Sequence, residues 1–515
     1  MLNFFRSSVV FIASVVVFFL FEIITTSINI SRLFNVIENI LFAFILLILI
    51  FLIKKGALRK FYLIFAILLF NLGLLFETFY YYHFMGVFSE SALFVIMESN
   101  GAEMTDFFTS YIETSIIVLI VITVALIFFS LIRVDSILKT VGKNHFNKFK
   151  IVLVILVVLL FLKFTQLIVF NVPYLIARTP ISYNQEMKKL DVYGESHKLG
   201  KFSNVYREEG FSEKEVYVIV IGESTSRKHF DLQGGYYRET TPKLNSIKNE
   251  LNVYNDVISP HAYTIGALSK ALTLGNIENP KGKYDGSIIQ LLNQAGFETY
   301  WISNQRPIGI SDTHVTKIAR GTDTSIFLNL KHTSEQTSYD EILLKSLDET
   351  LLSKGDKKVI FLHMIGAHFY YEMRYPSNFN YFKDTPKTLF KKKKNYKVIN
   401  EYDNVMRYTD SVLFEVIKSV KKQSGSSSVL YFSDHGQEVF DDIDFFGQTI
   451  DQMVTKNMYD IPMFLWTNKH YQSSKVIPDN YNKRYMTDDM IHSIADLCGV
   501  KSNEIDSTRS LFSTS

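Results

Sequence analysis

Four short stretches hold residues able to do chemistry: Gly222-Glu223-Ser-Thr-Ser-Arg-Lys-His229, Ser259-Pro-His-Ala-Tyr-Thr264, Leu362-His363-Met-Ile-Gly-Ala-His368 and Phe432-Ser-Asp434-His435-Gly436. The carboxylates of Glu223 and Asp434 and the imidazole of His435 make an oxygen and nitrogen donor set that suits Zn²⁺. Taken singly each signal is weak, since Asp-His-Gly is also a turn signature and Glu223 could sit beside a helix start. Their strength is placement, because Glu223 and Asp434 each follow directly on a buried apolar run. Thr264 stands where a loop passes into a helical pattern. Free backbone N–H groups and the helix dipole there favour an anion, such as an attacking alkoxide or a phosphoryl oxygen. The plainer role of the same threonine is a helix cap.

The apolar runs that position these groups read as strands: 216–221, 298–302, 359–363, 428–432 and 461–466. Helical patterns such as 286–295 and 402–420 alternate with them. That alternation predicts a soluble α/β/α domain with a mostly parallel sheet, whose ligands bind at the carboxyl ends of the strands.

The first third of the chain differs. Runs near 8–28, 34–53, 61–82, 112–132 and 151–172 are apolar enough to predict an N-terminal bundle of five transmembrane helices. Lys54, Lys55, Arg59 and Lys60 lie between the second and third runs, and Arg133, Lys139, Lys143 and Lys148 between the fourth and fifth. The connection 83–110 holds no Lys or Arg, and Arg32 alone breaks the pattern. Basic loops stay in the cytoplasm, so five crossings put everything after residue 172 outside. The expected organisation is 1–172 transmembrane, 173–210 a bridging amphipathic linker interrupted by Pro173 and Pro180, and 211–515 catalytic.

Taken together, these stretches resemble the bacterial phosphoethanolamine transferases of the alkaline phosphatase and sulfatase superfamily. The most specific part is Gly222 to His229 continued through Gly234-Gly-Tyr-Tyr-Arg-Glu-Thr-Thr-Pro-Lys-Leu244. Thr264, Trp301-Ile-Ser-Asn-Gln305, Gly366-Ala-His368 and Ser433-Asp-His-Gly436 extend it. The resemblance implies the alkaline phosphatase/sulfatase fold, one Zn²⁺ held by Glu223, Thr264, Asp434 and His435, and Thr264 as nucleophile. It further implies that Asn304, His368 and His363 contact the phosphoethanolamine group, and that Asn100 and Glu103 lie on a loop facing the catalytic site. The activity it implies is transfer of phosphoethanolamine from phosphatidylethanolamine to an envelope glycolipid, lipid A or core lipooligosaccharide, through a phosphothreonine-type intermediate. The setting it implies is the bacterial inner membrane, multi-pass, with the catalytic domain in the periplasm. The chain departs from the family pattern at Gln437, often Glu in relatives, and at Gln448, often His.

Competing readings are a phosphoglycerol transferase of the lipoteichoic acid synthase type and a non-catalytic membrane sensor on the same fold. Thr240-Thr-Pro242 with Trp301-Ile-Ser-Asn-Gln305 favours the ethanolamine family. Charges nearly cancel, 54 basic against 51 acidic among 515 residues. A nucleic-acid partner is not expected, and the chain is expected to act as a monomer. Cys498 is the single cysteine, so no intrachain disulfide can form and it reads as a buried thiol near a helix end.

Overall fold

The computed structural model describes residues 2–99, 111–142, 147–194, 197–305, 313–329, 338–449 and 454–514. Two compact units emerge. One takes in the described residues up to Met97 together with Tyr111–Asn184, and the other takes in Glu98, Ser99 and most of the chain from Gln185 onward.

The first unit is helical: α1 Leu2–Thr25, α2 Ile30–Leu49, α3 Gly56–Phe84, α4 Thr114–Ile132 and α5 Lys148–Phe164. A helix therefore occupies each of the five expected places, but length and apolarity suffice for a crossing in only three described segments, Ile30–Leu52, Gly56–Phe84 and Thr114–Ile132. The expected five is corrected to three on this measure. Among the described side chains, the apolar part of α1 is Val9–Thr25. The fifth helix stops at Phe164 because Gln166 turns left-handed, at φ 60°, into a 3₁₀ segment. Side chains such as Val121, Phe128 and Val157 stay exposed on the outside of the helices, as lipid contact requires.

Arg32, the exception to the charge pattern, is not a loop charge. It is buried between α1 and α3, donating from Nε to Glu22 at 2.8 Å and from Nη1 to Glu77 at 3.2 Å. Asn39 donates to Glu77 at 2.7 Å and Thr78 to Glu22 at 2.5 Å, so both carboxylates are held by their own chain. Helix α6, Val172–Lys189, runs through Pro180 rather than breaking there, and Pro173 falls in its first turn, where a missing N–H costs nothing.

The second unit is built on seven strands: β1 Glu215–Gly222, β2 Leu251–Tyr254, β3 Glu298–Ser303, β4 Thr324–Phe327, β5 Lys357–His363, β6 Ser426–Ser433 and β7 Met463–Thr467. Their order is β2-β7-β6-β1-β5-β3-β4. The five strands from β6 to β4 are parallel, whereas β7 pairs antiparallel with both β6 and β2. The sheet is thus mixed. The chain leaves the carboxyl end of β6 and re-enters beside it at β7 with no crossover helix among the described residues between them, and β7 runs the other way.

Val218, Val220, Ile360, Leu362, Val429 and Tyr431 pack in one core with Leu343, Leu347 and the apolar face of α8, Lys393–Val420. Their neighbours Ile219, Ile221, Phe361, Leu430 and Phe432 are equally buried on the other face. Both faces of the central strands are covered, which explains why these strands read as unbroken apolar runs. Cys498 follows the helix Met490–Leu497 and is fully buried.

Candidate active site

Strand register brings the reactive groups into one row. Ile221 pairs with both His363 and Phe432, Gly222 with Ser433, and Ser303 with His363. Glu223, Asp434, Asn304 and Met364 are therefore the first residues past four adjacent strand ends. Helix α7, Thr264–Ala271, has Thr264 as its first residue.

Glu223, Asp434 and His435 are buried, with ligand atoms all within 4.8 Å of one another. Thr264 Oγ1 lies 3.1 Å from Glu223 Oε2 and 3.4 Å from His435 Nε2. His435 Nε2 is 3.4 Å from Glu223 Oε1 and 3.5 Å from Asp434 Oδ2. The Gly436 carbonyl, 2.8 Å from His435 Nδ1, can only accept. Nδ1 therefore carries a proton, and Nε2 faces the cluster, where its lone pair is available to a metal once the second proton of the imidazolium is given up. Asp434 Oδ1 accepts from the backbone of Ser224 at 3.0 Å and of His435 at 2.7 Å, while its Oδ2 has no hydrogen-bond partner.

That orphaned oxygen tests whether the residues fit a metal. A buried anionic oxygen without a donor is costly. Here a second carboxylate, an imidazole lone pair and a hydroxyl converge beside it, which are the donor types Zn²⁺ takes. The charges also strain against one another. Burial and the Glu223 carboxylate push Asp434 up to about 7. Burial would lower His435, but Asp434 and Glu223 hold it up at about 9. A cation suits this arrangement.

The supporting shell is tight. Ser224 Oγ donates to Glu223 Oε1 at 2.6 Å, and Gln305 Nε2 donates to Glu223 Oε2 at 3.1 Å and to the Met364 carbonyl at 3.0 Å. Ser224 is left-handed, at φ 58°. The Tyr402 hydroxyl bridges it, donating to Ser224 O at 2.7 Å and accepting from Ser226 N at 2.8 Å. A Cβ at Gly436 would sit 2.1 Å from the Asn457 carbonyl oxygen. Gly366, at φ 48°, would place one 2.6 Å from the Glu223 carbonyl oxygen. Both glycines are required by close backbone approach.

His363 is buried, its Nδ1 3.3 Å from Ser303 Oγ and its Nε2 without a hydrogen-bond partner. His368 is half-buried on the turn that follows β5. Burial pushes both imidazoles down to about 4, so both are neutral near pH 7.

Asn304 is not turned toward the cluster. Its Nδ2 donates to Asp340 Oδ1 at 2.9 Å and to the Ser338 carbonyl at 3.2 Å, and its Oδ1 accepts from Ser338 Oγ at 2.6 Å. Asp340 also accepts from the backbone N–H groups of Ile365 and Gly366, at 2.8 and 2.9 Å. The Asn304–Asp340 pair thus braces the turn that carries His368. Asn100 and Glu103 lie outside the described residues.

Sequence reasoning missed Asp340, Ser224 and Tyr402, and assigned Gln305 no role. Only Gln305 and Ser224 left a signal, as neighbours of Asn304 and Glu223. Gln437 accepts from the Tyr371 hydroxyl. Glu438 binds the backbone N–H of Asp441 and Asp442 at 2.6 and 2.7 Å, which makes it a loop organiser.

Residues 215–500 match the Sulfatase family. Over 464 residues, 84% of this chain and 79% of the other, the sequence is 30% identical to phosphoethanolamine transferase EptC of Escherichia coli K12. It is 29% identical over 465 residues to phosphoethanolamine transferase CptA of Salmonella typhimurium, with the same shares covered. The crystal structure of the C-terminal periplasmic domain of EptC from Escherichia coli, in complex with Zn, superposes with a TM-score of 0.59 at 33% identity, over 61% of this chain and 90% of that one. The integral membrane lipooligosaccharide phosphoethanolamine transferase A of Neisseria meningitidis shares the fold over 99% of this chain and 98% of its own, with a TM-score of 0.70 at 19% identity. With its metal-type cluster at converging strand ends and this similarity along most of its length, the chain belongs to the phosphoethanolamine transferases of the sulfatase family.

Proposed function

We propose that this chain is a zinc-dependent transferase that moves phosphoethanolamine from phosphatidylethanolamine to a glycolipid of the cell envelope, carrying it in between on Thr264. The observation that carries the reading is the seat of Thr264. Its hydroxyl heads α7, 3.1 Å from Glu223 Oε2 and 3.4 Å from His435 Nε2, two members of the cluster that holds the unpartnered Asp434 Oδ2. Glu223, Asp434, His435 and the Thr264 hydroxyl would hold Zn²⁺, which when bound lowers the pKa of that hydroxyl and offsets charge on the phosphoryl oxygens.

Thr264 Oγ attacks the phosphorus of the donor, and the bond from phosphorus to the diacylglycerol oxygen breaks. Backbone N–H groups at the head of α7 face the developing phosphoryl charge. Diacylglycerol leaves as its alkoxide takes up the proton given up by the Thr264 hydroxyl, and an acceptor hydroxyl, whose proton returns to Thr264, or an acceptor phosphate oxygen then displaces Thr264. His368 is the neutral imidazole assigned to move that proton. His363, with its unpartnered Nε2, and the loop residues Asn100 and Glu103 are assigned to the ethanolamine phosphate. Asn304 acts at one remove, through Asp340.

The same reading anchors the helical unit in a bacterial inner membrane, with the basic connections in the cytoplasm and the catalytic unit in the periplasm. The test is to supply phosphatidylethanolamine without acceptor. Diacylglycerol should appear, and a peptide containing Thr264 should gain one phosphoethanolamine. Diacylglycerol release persisting in Thr264→Ala would overturn the covalent route and return Thr264 to the role of helix cap.

A further inference from the structure

A cavity of about 710 Å³ lies along α8. Its floor is one stripe of that helix, Lys393, Tyr396, Lys397, Asn400, Glu401 and Asn404, at the three- and four-residue spacing that puts side chains on a single face. Its walls are the loops 372–385 and the ring of Tyr339. The volume is that of a small-molecule site.

The lining is of an unusual kind. Four aromatic rings, Tyr339, Tyr375, Phe382 and Tyr396, stand among amides and carboxylates. Three acidic groups, Glu372, Asp384 and Glu401, meet three basic ones, Lys383, Lys393 and Lys397. Lys397 bridges Glu372 at 2.9 Å and Glu401 at 3.3 Å. Balanced charge gives no preference for a polyanion or a polycation. Flat rings that cover C–H faces, ringed by paired acceptors and donors, match a neutral polyhydroxylated ligand. Burial, aided by Glu372, pushes Glu401 up to about 7, so near neutral pH it can both donate to and accept from a hydroxyl.

The cavity is also close to the chemistry. Tyr371, which precedes Glu372, stacks edge-on against Tyr402 at 5.1 Å and donates to Gln437, two residues beyond His435. Tyr402, next to Glu401, holds Ser224 beside Glu223. Tyr371 and Tyr402, each next in sequence to a lining residue, thus link the cavity wall to the surroundings of the metal-type cluster.

We propose that this cavity, floored by Tyr396, Asn400 and Glu401 of α8, is a saccharide subsite that holds the glycan part of the acceptor. The assignment deepens the transferase reading and rests on it for the word acceptor. The binding of sugar stands by itself.

The test uses the full-length chain in lauryldimethylamine oxide micelles, a detergent without sugar, with a neutral hexose oligosaccharide free of phosphate and carboxylate as probe. Saturation-transfer NMR should show transfer to the sugar ring protons. Tyr396→Ala should weaken binding about tenfold, the loss of one stacked ring. Tyr396→Phe should keep binding, and Glu401→Gln should weaken it. Unchanged thermal unfolding shows that each variant is folded. No saturation in the native chain, or equal saturation in folded Tyr396→Ala, would overturn the proposal. Absence of diacylglycerol release by the native chain would overturn the transferase reading instead, and would leave the sugar result to be judged separately.

Discussion

Two buried acidic clusters invite comparison, one in each unit. In the helical unit Glu22 and Glu77 close on Arg32, with Thr78 and Asn39 completing their hydrogen bonds. In the catalytic unit Glu223 and Asp434 meet His435 and Thr264, and Asp434 Oδ2 is left without a donor. Both bury carboxylates at similar expense. One cluster supplies donors of its own chain to both carboxylates and so is a strut. The other leaves one carboxylate oxygen without a donor, open to something that arrives, and that is what separates a site from a brace.

The largest effect should come from breaking the open cluster. Asp434→Asn should strip the chain of zinc, measured by metal analysis of purified protein, and lower diacylglycerol release by at least about 10³-fold, several kcal/mol of lost charge stabilisation. Zinc content and turnover equal to those of the native chain would erase the distinction drawn above.

Breaking the closed cluster should act on stability instead. Arg32→Met leaves two carboxylates buried without their partner and should cost about 3–5 kcal/mol. Thermal unfolding in detergent would show it, with zinc content unchanged. Adding Glu22→Gln and Glu77→Gln to the same variant should recover most of the loss, because neutral amides need no cation. A triple variant no more stable than Arg32→Met would mean that Arg32 does more than neutralise.

A smaller effect is expected at Asp340. Asp340→Asn turns one acceptor oxygen into a donor facing backbone N–H groups, and should lower kcat/KM about tenfold or somewhat more. Zinc should stay bound, since Asp340 braces the His368 turn and touches no ligand. Simultaneous loss of zinc would place Asp340 in the metal shell.

An effect read against pH rather than turnover concerns His229, which sits between Asp403 at 2.6 Å and Asp441 at 3.0 Å. Burial would lower it, but Asp441 and Asp403 raise it from 6.5 to about 10. A raised pKa stabilises the fold fully below the unfolded value and loses that effect as pH climbs through the folded one. The stability of the native chain over His229→Gln should therefore shrink as pH rises from 6.5 to about 10. A constant difference across that range would show that His229 is not charged in the fold.

Much of this was legible from sequence, and the limits have physical causes. Strands buried on both faces are continuous apolar runs, so β1, β3, β5 and β6 could be read to within two residues. Edge strands β2 and β4 are short and half-exposed and carry no such run. The direction of β7 depends on where the chain re-enters the sheet, which no local pattern encodes. Glu223, Asp434 and His435 were readable because a ligand directly after a buried strand can point only to the sheet's end. Asn304 was readable as a position but not as a direction. Its inward turn is decided by Asp340, 36 residues away. Arg32 looked like a misplaced loop charge because its partners Glu22 and Glu77 come from two other helices.

One further consequence follows from the burial of Cys498. The thiol is fully enclosed, and that burial raises its pKa above the usual thiol range, so almost no reactive thiolate reaches solvent. To a thiol-directed reagent the folded chain is therefore blank. A cysteine introduced at an exposed position such as Leu389 would be the one handle in an otherwise native background, and the sidedness of the catalytic unit could be read without altering its core.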